Sequence, residues 1–194
     1  MFRKYKNLIR DVEPKSPNYL WVSDITYIRM QFGFCYLHLI TDAYSRKIIG
    51  WKFASGLEAK HTLEALEMAL SQTEGMSIKD LIHHSDRGIQ YCSHAYVNKL
   101  KEHKIAISMT EDSNPTDNAI AERVNGILKQ EWLYGMKPFE TLEEGNEAIQ
   151  KIVSFYNNER PHLSLDMLTP GDAHRMTGAL KKRWKTKQYK QEVE

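Results

Sequence analysis

Trp21-Val22-Ser23-Asp24-Ile25-Thr26-Tyr27-Ile28 reads as the middle strand of a sheet with one acid set into it. Its β-branched and aromatic residues favour extended backbone. The strand is predicted over Leu20 to Met30, and it is apolar enough to be central and covered. An ionised carboxylate in such a strand costs free energy unless it is paired or bound to a cation. Asp24 is therefore the first candidate functional residue; the rival reading, an acid on a solvated edge strand, fits its apolar neighbours less well.

Working outward, Gln31-Phe32-Gly33 makes a turn into a second strand, Phe34 to Thr41. Asp42-Ala43-Tyr44-Ser45-Arg46 turns again, and Lys47 to Ala54 is a third strand. Two short turns predict an antiparallel meander. The period then changes. Ala59 to Thr73 carries Leu63, Leu66 and Leu70 at helical spacing, without Pro or Gly. Leu81 to His84 is a short strand that runs into Ser85-Asp86. Ser93 to His103 is a helix marked by Val97 and Leu100, and Ile105 to Ser108 is a fifth strand. After a loop broken by Pro115, Thr116 or Asp117 can cap a helix that runs to about Trp132. Thr141-Leu142-Glu143-Glu144 is a capping-box start, and behind it Ile149, Ile152, Val153 and Tyr156 share one face.

This order, βββ then α, β, α, β, α, α, predicts an α/β domain. Its core is a mixed five-stranded sheet, three antiparallel strands followed by βαβα, with helices on both faces. Ribonuclease H-like domains have this architecture. The expected division is a lead-in over residues 1–18, a catalytic core over 19–160 and a C-terminal extension with a basic tail over 161–194.

Composition limits the function classes. The 194 residues include 41% apolar residues and carry a net charge of +2. No apolar run is long enough for a transmembrane helix, and the basic N-terminus lacks the apolar segment of a secretory signal. Cys35 and Cys92 form no disulfide framework, so a reducing cytoplasm is the expected setting. The near-neutral total hides basic ends, with Arg3, Lys4, Lys6 and Arg10 at one and Lys181, Lys182, Arg183, Lys185, Lys187 and Lys190 at the other. Basic ends suit a partner with phosphates. A tail that only aids solubility fits the same residues.

Two further acids join Asp24. Asp86 follows the short fourth strand, and ligand sites in such sheets gather at strand ends. If strands one and four are neighbours, Asp24 and Asp86 come side by side, where a divalent cation relieves their repulsion. Glu122 follows Asp86 after a gap of 35 residues. On its helix Ile120, Ala121, Val124, Ile127 and Leu128 form an apolar face, while Glu122, Asn125, Gly126 and Lys129 cluster on another. An all-oxygen ligand set suits Mg²⁺ or Mn²⁺ rather than zinc. Two such ions activate an attacking oxygen and stabilise a leaving one, as in-line displacement at a phosphodiester requires.

Each residue also has an ordinary reading. Asp86 in Ser-Asp-Arg-Gly could be a turn former, and Glu122 to Lys129 a solvated helix face. The joint pattern, not any one residue, favours a site. Zinc is the weaker metal reading: His83, His84, Cys92, His94 and His103 lack a standard ligand spacing. No nucleophile elbow or phosphate-binding glycine loop is present.

Six segments, in order, resemble the D-D-E insertion-sequence transposases of the insertion-sequence-three kind, whose integrase cores are related to retroviral integrases. They are Trp21 to Ile28, Asp42 to Trp51, His84-Ser85-Asp86-Arg87-Gly88, Asn114-Pro115-Thr116-Asp117-Asn118-Ala119, Glu122 to Lys129, and Tyr156-Asn157-Asn158-Glu159-Arg160-Pro161-His162. The resemblance spans about residues 18 to 175. It implies that Asp24, Asp86 and Glu122 are catalytic and hold two Mg²⁺ or Mn²⁺ ions when DNA is bound. It implies DNA contacts by Lys129, and the same motifs make Arg123, Asn125 and Arg160 expected contacts. Lys181, Lys182 and Arg183 are expected to add phosphate contacts from the tail.

The implied substrates are the terminal inverted repeats of a mobile element and its target DNA. The implied reaction is nicking followed by attack of the freed 3′-hydroxyl, by a homo-oligomer assembled on DNA in the cytoplasm, at the nucleoid. Family members usually carry a helix-turn-helix region before the core. Only about 20 residues precede Asp24 here, so an upstream-frame partner is an expected source of end recognition. Two readings stay open beside this one: a truncated, catalytically silent DNA-binding fragment, and a nuclease that hydrolyses without joining.

Overall fold

The computed structural model describes residues 4–10, 12–76, 78–111, 118–181 and 183. Five strands form one sheet: β1 (Leu20–Arg29), β2 (Phe34–Asp42), β3 (Ile48–Ala54), β4 (Ile82–Ser85) and β5 (Ala106–Met109). Their spatial order is β3-β2-β1-β4-β5, which puts β1 in the centre. β1, β2 and β3 pair antiparallel; β1 with β4 and β4 with β5 pair parallel. The helices are α1 (Ala59–Ser71), α2 (His94–Glu102), α3 (Ala119–Glu131), α4 (Leu142–Asn158) and the short α5 (Pro170–Ala173). The expected elements all form, with ends shifted by a residue or two. The proposed caps Thr116 and Asp117 lie outside the described residues. Asn118 occupies the N-cap position of α3, without a side-chain cap bond.

Strand alternation sends successive residues to opposite faces, and the two faces build two cores. On one, Ile28, Leu37 and Leu39 pack with Val124 and Leu128 of α3 and Ile149, Ile152 and Tyr156 of α4. On the other, Trp21 and Ile40 pack with Leu66 and Ala69 of α1 and Tyr96 and Leu100 of α2. Two glycines permit the close layers. A Cβ at Gly50 would stand 2.1 Å from the Ala65 carbonyl oxygen of α1, and one at Gly145 would stand 2.2 Å from the Phe53 ring.

Helix ends follow local chemistry. Ser93 and Thr141 accept from the backbone N–H groups of Tyr96 and Glu144, satisfying donors left unpaired in the first turn. The Glu144 carboxylate accepts from the Glu140 N–H. Beyond α4 the chain folds back on the core. His162 meets the Tyr156 ring edge-on, and Leu165, Pro170 and Ala173 are buried. Residues 4–10 run beside β5, where Met109 N–H donates to the Lys6 carbonyl. Cys35 and Cys92 are free, buried thiols. Among the described residues, no helix is long and apolar enough to cross a membrane.

Candidate active site

The site lies where β4 stops and β1 continues. The parallel register pairs Trp21 with His83 and Val22 with His84. Carried two residues further, it sets Asp86 beside Asp24, and both acids line one open cleft of about 280 Å³ with Tyr27, Tyr36, Gln90 and Tyr91. Asp86 is exposed, and its Oδ1 accepts the Gly88 N–H at 2.8 Å. The turn-forming reading of Asp86 is thus correct as far as it goes. The same turn holds the carboxylate at the strand end.

Asp24 points to the α3 side of the sheet. Burial is the main force that pushes its carboxyl up to about 6. The Asn125 hydrogen bond and the Ile25 backbone oppose that rise, while the charges of Asp86 and Glu122 add to it. The three acids therefore share one electrostatic neighbourhood, and their mutual repulsion is a force that a cation would relieve.

Helix α3 is fastened along β1 by its own side chains. Asn118 donates through Nδ2 to the Ser23 carbonyl at 3.0 Å, and Asn125 donates through Nδ2 to Asp24 Oδ2 at 2.7 Å. One turn before Asn125 stands Glu122, exposed; one turn after it Lys129 reaches over the Tyr27 ring, 4.1 Å from the centroid. Burial lowers the Lys129 ammonium pKa, and Asp24 counters that. Residues 118, 122, 125 and 129 thus form one stripe beside β1, as the helical repeat dictates. Beneath Asp24, Ser23 Oγ donates to the Leu39 carbonyl at 2.9 Å and is hydrogen-bonded to the Tyr91 hydroxyl at 3.1 Å.

The other expected DNA contacts are placed differently. Asn125 is buried against Asp24 and is not offered to solvent. Arg123 and Arg160 are away from the acid cleft, in a cavity of about 530 Å³ on the opposite flank of α3, with Arg46 and His162. Arg160 is held by the Glu131 carboxylate. Arg183 is exposed but folds back, donating to Asp166 Oδ1 at 2.5 Å. Lys181 is exposed; Lys182 lies outside the described residues. Gly126 has open space where a Cβ would stand.

Hard oxygen donors in this arrangement suit Mg²⁺ or Mn²⁺. Among the described residues, no three His, Cys, Asp or Glu side chains converge tightly enough to enclose one ion. Asp24 and Asp86 share their cleft, and the side chains of Asp86 and Glu122 are exposed. Of the histidines considered for zinc, His83 and His84 serve the core, His83 Nε2 meeting Tyr96 Oη and His84 Nδ1 meeting Ser108 Oγ, both at 2.8 Å, while His94 and His103 are exposed.

Sequence reading missed the Asn118 and Asn125 anchors and the Lys129–Tyr27 contact. A signal was available for the first two. Asn118 and Asn125 lie seven apart on the stripe that carries Glu122 and Lys129, where an apolar residue would otherwise be the simple choice.

A mixed sheet of this order, helices on both faces and acids where the two central parallel strands meet, defines a ribonuclease H-like fold. Solved structures agree in fold. The catalytic core domain of HTLV-2 integrase in complex with magnesium, in its dimeric form, aligns with a TM-score of 0.63 and 20% identity, over 82% of this chain and 97% of that one. A chain of the simian T-cell lymphotropic virus intasome in complex with PP2A regulatory subunit B56 gamma gives a TM-score of 0.72 at 19% identity, over 91% of this chain and 60% of that one.

The sequence matches the integrase core domain family over residues 14–115 and again over 103–170. Similar curated proteins include a putative transposase for insertion sequence element IS986/IS6110 of Mycobacterium tuberculosis, 40% identical over 150 residues, covering 76% of this chain and 54% of the relative. The transposase for IS629 of Shigella sonnei is 34% identical over 86% of this chain and 55% of its own length. The transposase InsF for IS3A of Escherichia coli is 37% identical over 67% of this chain and 45% of its own. The chain belongs to the integrase-core family of insertion-sequence transposases. It spans about half the length of the curated relatives that it matches.

Proposed function

We propose that the chain is the catalytic core of a transposase that nicks DNA at element ends and joins the freed 3′-hydroxyl to a second phosphodiester. The observation that carries this reading is the cleft shared by Asp24 and Asp86 at the end of β4, with the charges of Asp86 and Glu122 both raising the Asp24 carboxyl pKa. The three carboxylates are the proposed ligands for Mg²⁺ or Mn²⁺. The metal's contribution is to stabilise charge on the attacking and leaving oxygens.

The chain's own residues supply the rest. Asn125 fixes the Asp24 carboxylate by a hydrogen bond at 2.7 Å, and so orients it without neutralising it. Lys129, set over Tyr27 two helical turns beyond Glu122, is placed to meet a phosphate of the DNA strand that enters the cleft. No side chain is needed as the nucleophile, because water or a DNA hydroxyl attacks in line.

The substrates, the terminal inverted repeats and the target, belong to this proposal, as do a homo-oligomer on DNA and an upstream-frame helix-turn-helix partner. HTLV-2 integrase core forms a dimer in one solved structure and a trimer in another, which supports assembly as a property of the fold. The proposed place of action is the cytoplasm, at the nucleoid. A lead-in, core and extension at residues 1–18, 19–160 and 161–194 is the proposed division.

The test is strand transfer on labelled duplex ends with Mg²⁺ or Mn²⁺. Nicked and joined products are expected from the parent chain and from neither Asp86→Asn nor Glu122→Gln. Products that persist in either variant overturn the assignment. Binding without any metal-dependent product would favour the catalytically silent fragment; cleavage without joining would favour a nuclease.

A further inference from the structure

Past the acids, the outer half of β1 has a different surface. The register with β4 ends at Val22–His84, so from Asp24 outward that side of β1 is open to the turn that follows α3. Between them runs a groove of about 770 Å³. Its far end is closed where Gln31 N–H donates to the Phe139 carbonyl at 2.8 Å. Three aromatic rings line it and remain solvent-exposed: Tyr27 at 61%, Phe34 at 55% and Tyr134 at 72%. Tyr27 and Phe34 meet edge to face, with centroids 5.6 Å apart. Tyr134 has no ring or hydrogen-bond partner among the described residues. Single exposed apolar residues are ordinary, but aromatic rings gathered in one groove mark a surface that something else covers.

The charge of the groove says what covers it. Arg29, Lys129 and Lys137 line it, and no acid does among the described residues. Cations interleaved with exposed aromatic rings are the chemistry that holds single-stranded nucleic acid, phosphates on the cations and base faces on the rings. A duplex hides its base faces and could use the cations alone. The groove is also continuous with the acid cleft, since Tyr27 lines both. Lys129 stands over that shared ring.

We propose that this groove holds an unpaired stretch of the DNA strand that leads to the acids, with its bases stacked on Tyr134 and Phe34 and its phosphates met by Arg29, Lys129 and Lys137. A strand held here is peeled from its complement next to the cleft. The site then favours ends that are already frayed over fully paired ones. This rests on the reading of the acids as a DNA-processing site, and its test is separable from theirs.

The test is binding by the full chain in EDTA, which removes all metal-dependent chemistry. The probes are a single strand carrying 2-aminopurine and a blunt duplex of the same length. Stacking quenches 2-aminopurine, so the parent chain is expected to quench the single strand and bind it more tightly than the duplex. Tyr134→Ala is expected to weaken single-strand binding about tenfold and to reduce the quenching. Tyr134→Phe, which keeps the ring, restores both. Tyr134 is exposed and unpartnered, and an unchanged unfolding curve for the alanine variant confirms that the loss is local. Equal single-strand affinity in Tyr134→Ala and the parent overturns the proposal. So does a change in sedimenting mass without a change in strand binding, which would make the groove a protein contact. Failure of this test leaves the strand-transfer reading standing, and absence of nicking leaves a positive result here intact.

Discussion

Asp24 and Asp42 lie on neighbouring central strands, yet their carboxylates live under opposite rules. Asp42 is completely buried, and its oxygens accept from Asn18 N–H, Ser45 N–H and Ser45 Oγ at 2.7, 2.8 and 2.7 Å. Those bonds tie the β2–β3 turn to the start of β1, and His174 Nδ1 joins at Ser45 Oγ, 2.9 Å away. Asp24 is half-buried, receives one side-chain donor from Asn125, and faces two like charges. A buried acid saturated with donors is part of the frame. An acid desolvated, under-supplied with donors and crowded by like charge is poised for a cation. Burial alone does not separate the two; the count and sign of the neighbours does.

The comparison is broken if the two acids prove interchangeable. The largest expected effect is on chemistry: Asp24→Asn should cut metal-dependent product at least about a hundredfold while the unfolding curve holds or moves upward, because a repelled, desolvated charge is removed. Asp42→Ala should do the reverse. It leaves several buried donors without an acceptor, which costs about 3 kcal/mol or more. By calorimetry its melting temperature should fall by roughly 6–12 °C. Residual product from Asp24→Asn at parental rates, or a parental melting curve from Asp42→Ala, would each collapse the distinction.

A smaller effect sharpens it. Asn125→Ala removes the donor that orients Asp24, so the Mg²⁺ or Mn²⁺ concentration for half-maximal nicking should rise about tenfold. The maximal rate at saturating metal should change less. An unchanged metal titration would mean that Asn125 only packs.

The smallest effect is in pH. His38, His83 and His162 are held at about 4, 3 and 4, chiefly by burial. Their folded values lie below the unfolded one, so they stabilise the fold above about pH 6.5. That contribution is lost as pH falls, because the unfolded chain takes up protons first. Asp24, raised to about 6, has the opposite sign: it takes up its proton more readily when folded and offsets part of the loss below pH 6. Thermal melts between pH 7.5 and 5 should therefore show a steeper drop in Asp24→Asn than in the parent. Parallel slopes would place Asp24 in an ordinary solvated setting.

Much of this frame was legible because it rests on local periods. The apolar alternation of β1, the short turns on either side of β2 and the helical spacing of Leu63, Leu66 and Leu70 each report their own backbone state. The pairing of β1 with β4 is expected only on the condition of a ribonuclease H-like order, and with it the side-by-side placement of Asp24 and Asp86; the sheet has that order. What stayed hidden depends on contacts between distant elements. Asn125 reads as a DNA contact on the Glu122–Lys129 face, but its neighbour is an acid 101 positions earlier in the chain. Arg160 reads as a free cation until Glu131, one helix away, is seen to hold it. The exposed Tyr134 carries no periodic signal at all, since it lies in a single 3-10 turn.

Both borders of the sheet are covered in part by groups from elsewhere in the chain. Along β3, the Asn157 amide accepts from Ile48 N–H and donates to the Ile48 carbonyl, both at 2.9 Å, as a neighbouring strand would. Gln72 Nε2 donates to the next carbonyl, that of Ile49, at 2.5 Å. Along β5, Lys6 receives the Met109 N–H, and Ser108 Oγ accepts from Leu8 N–H at 2.9 Å. The backbone groups of Ile48, Ile49 and Met109 are thus engaged, which blunts these stretches of edge against a foreign strand. A second copy would find these stretches of sheet edge occupied, and helices and turns the more open surfaces.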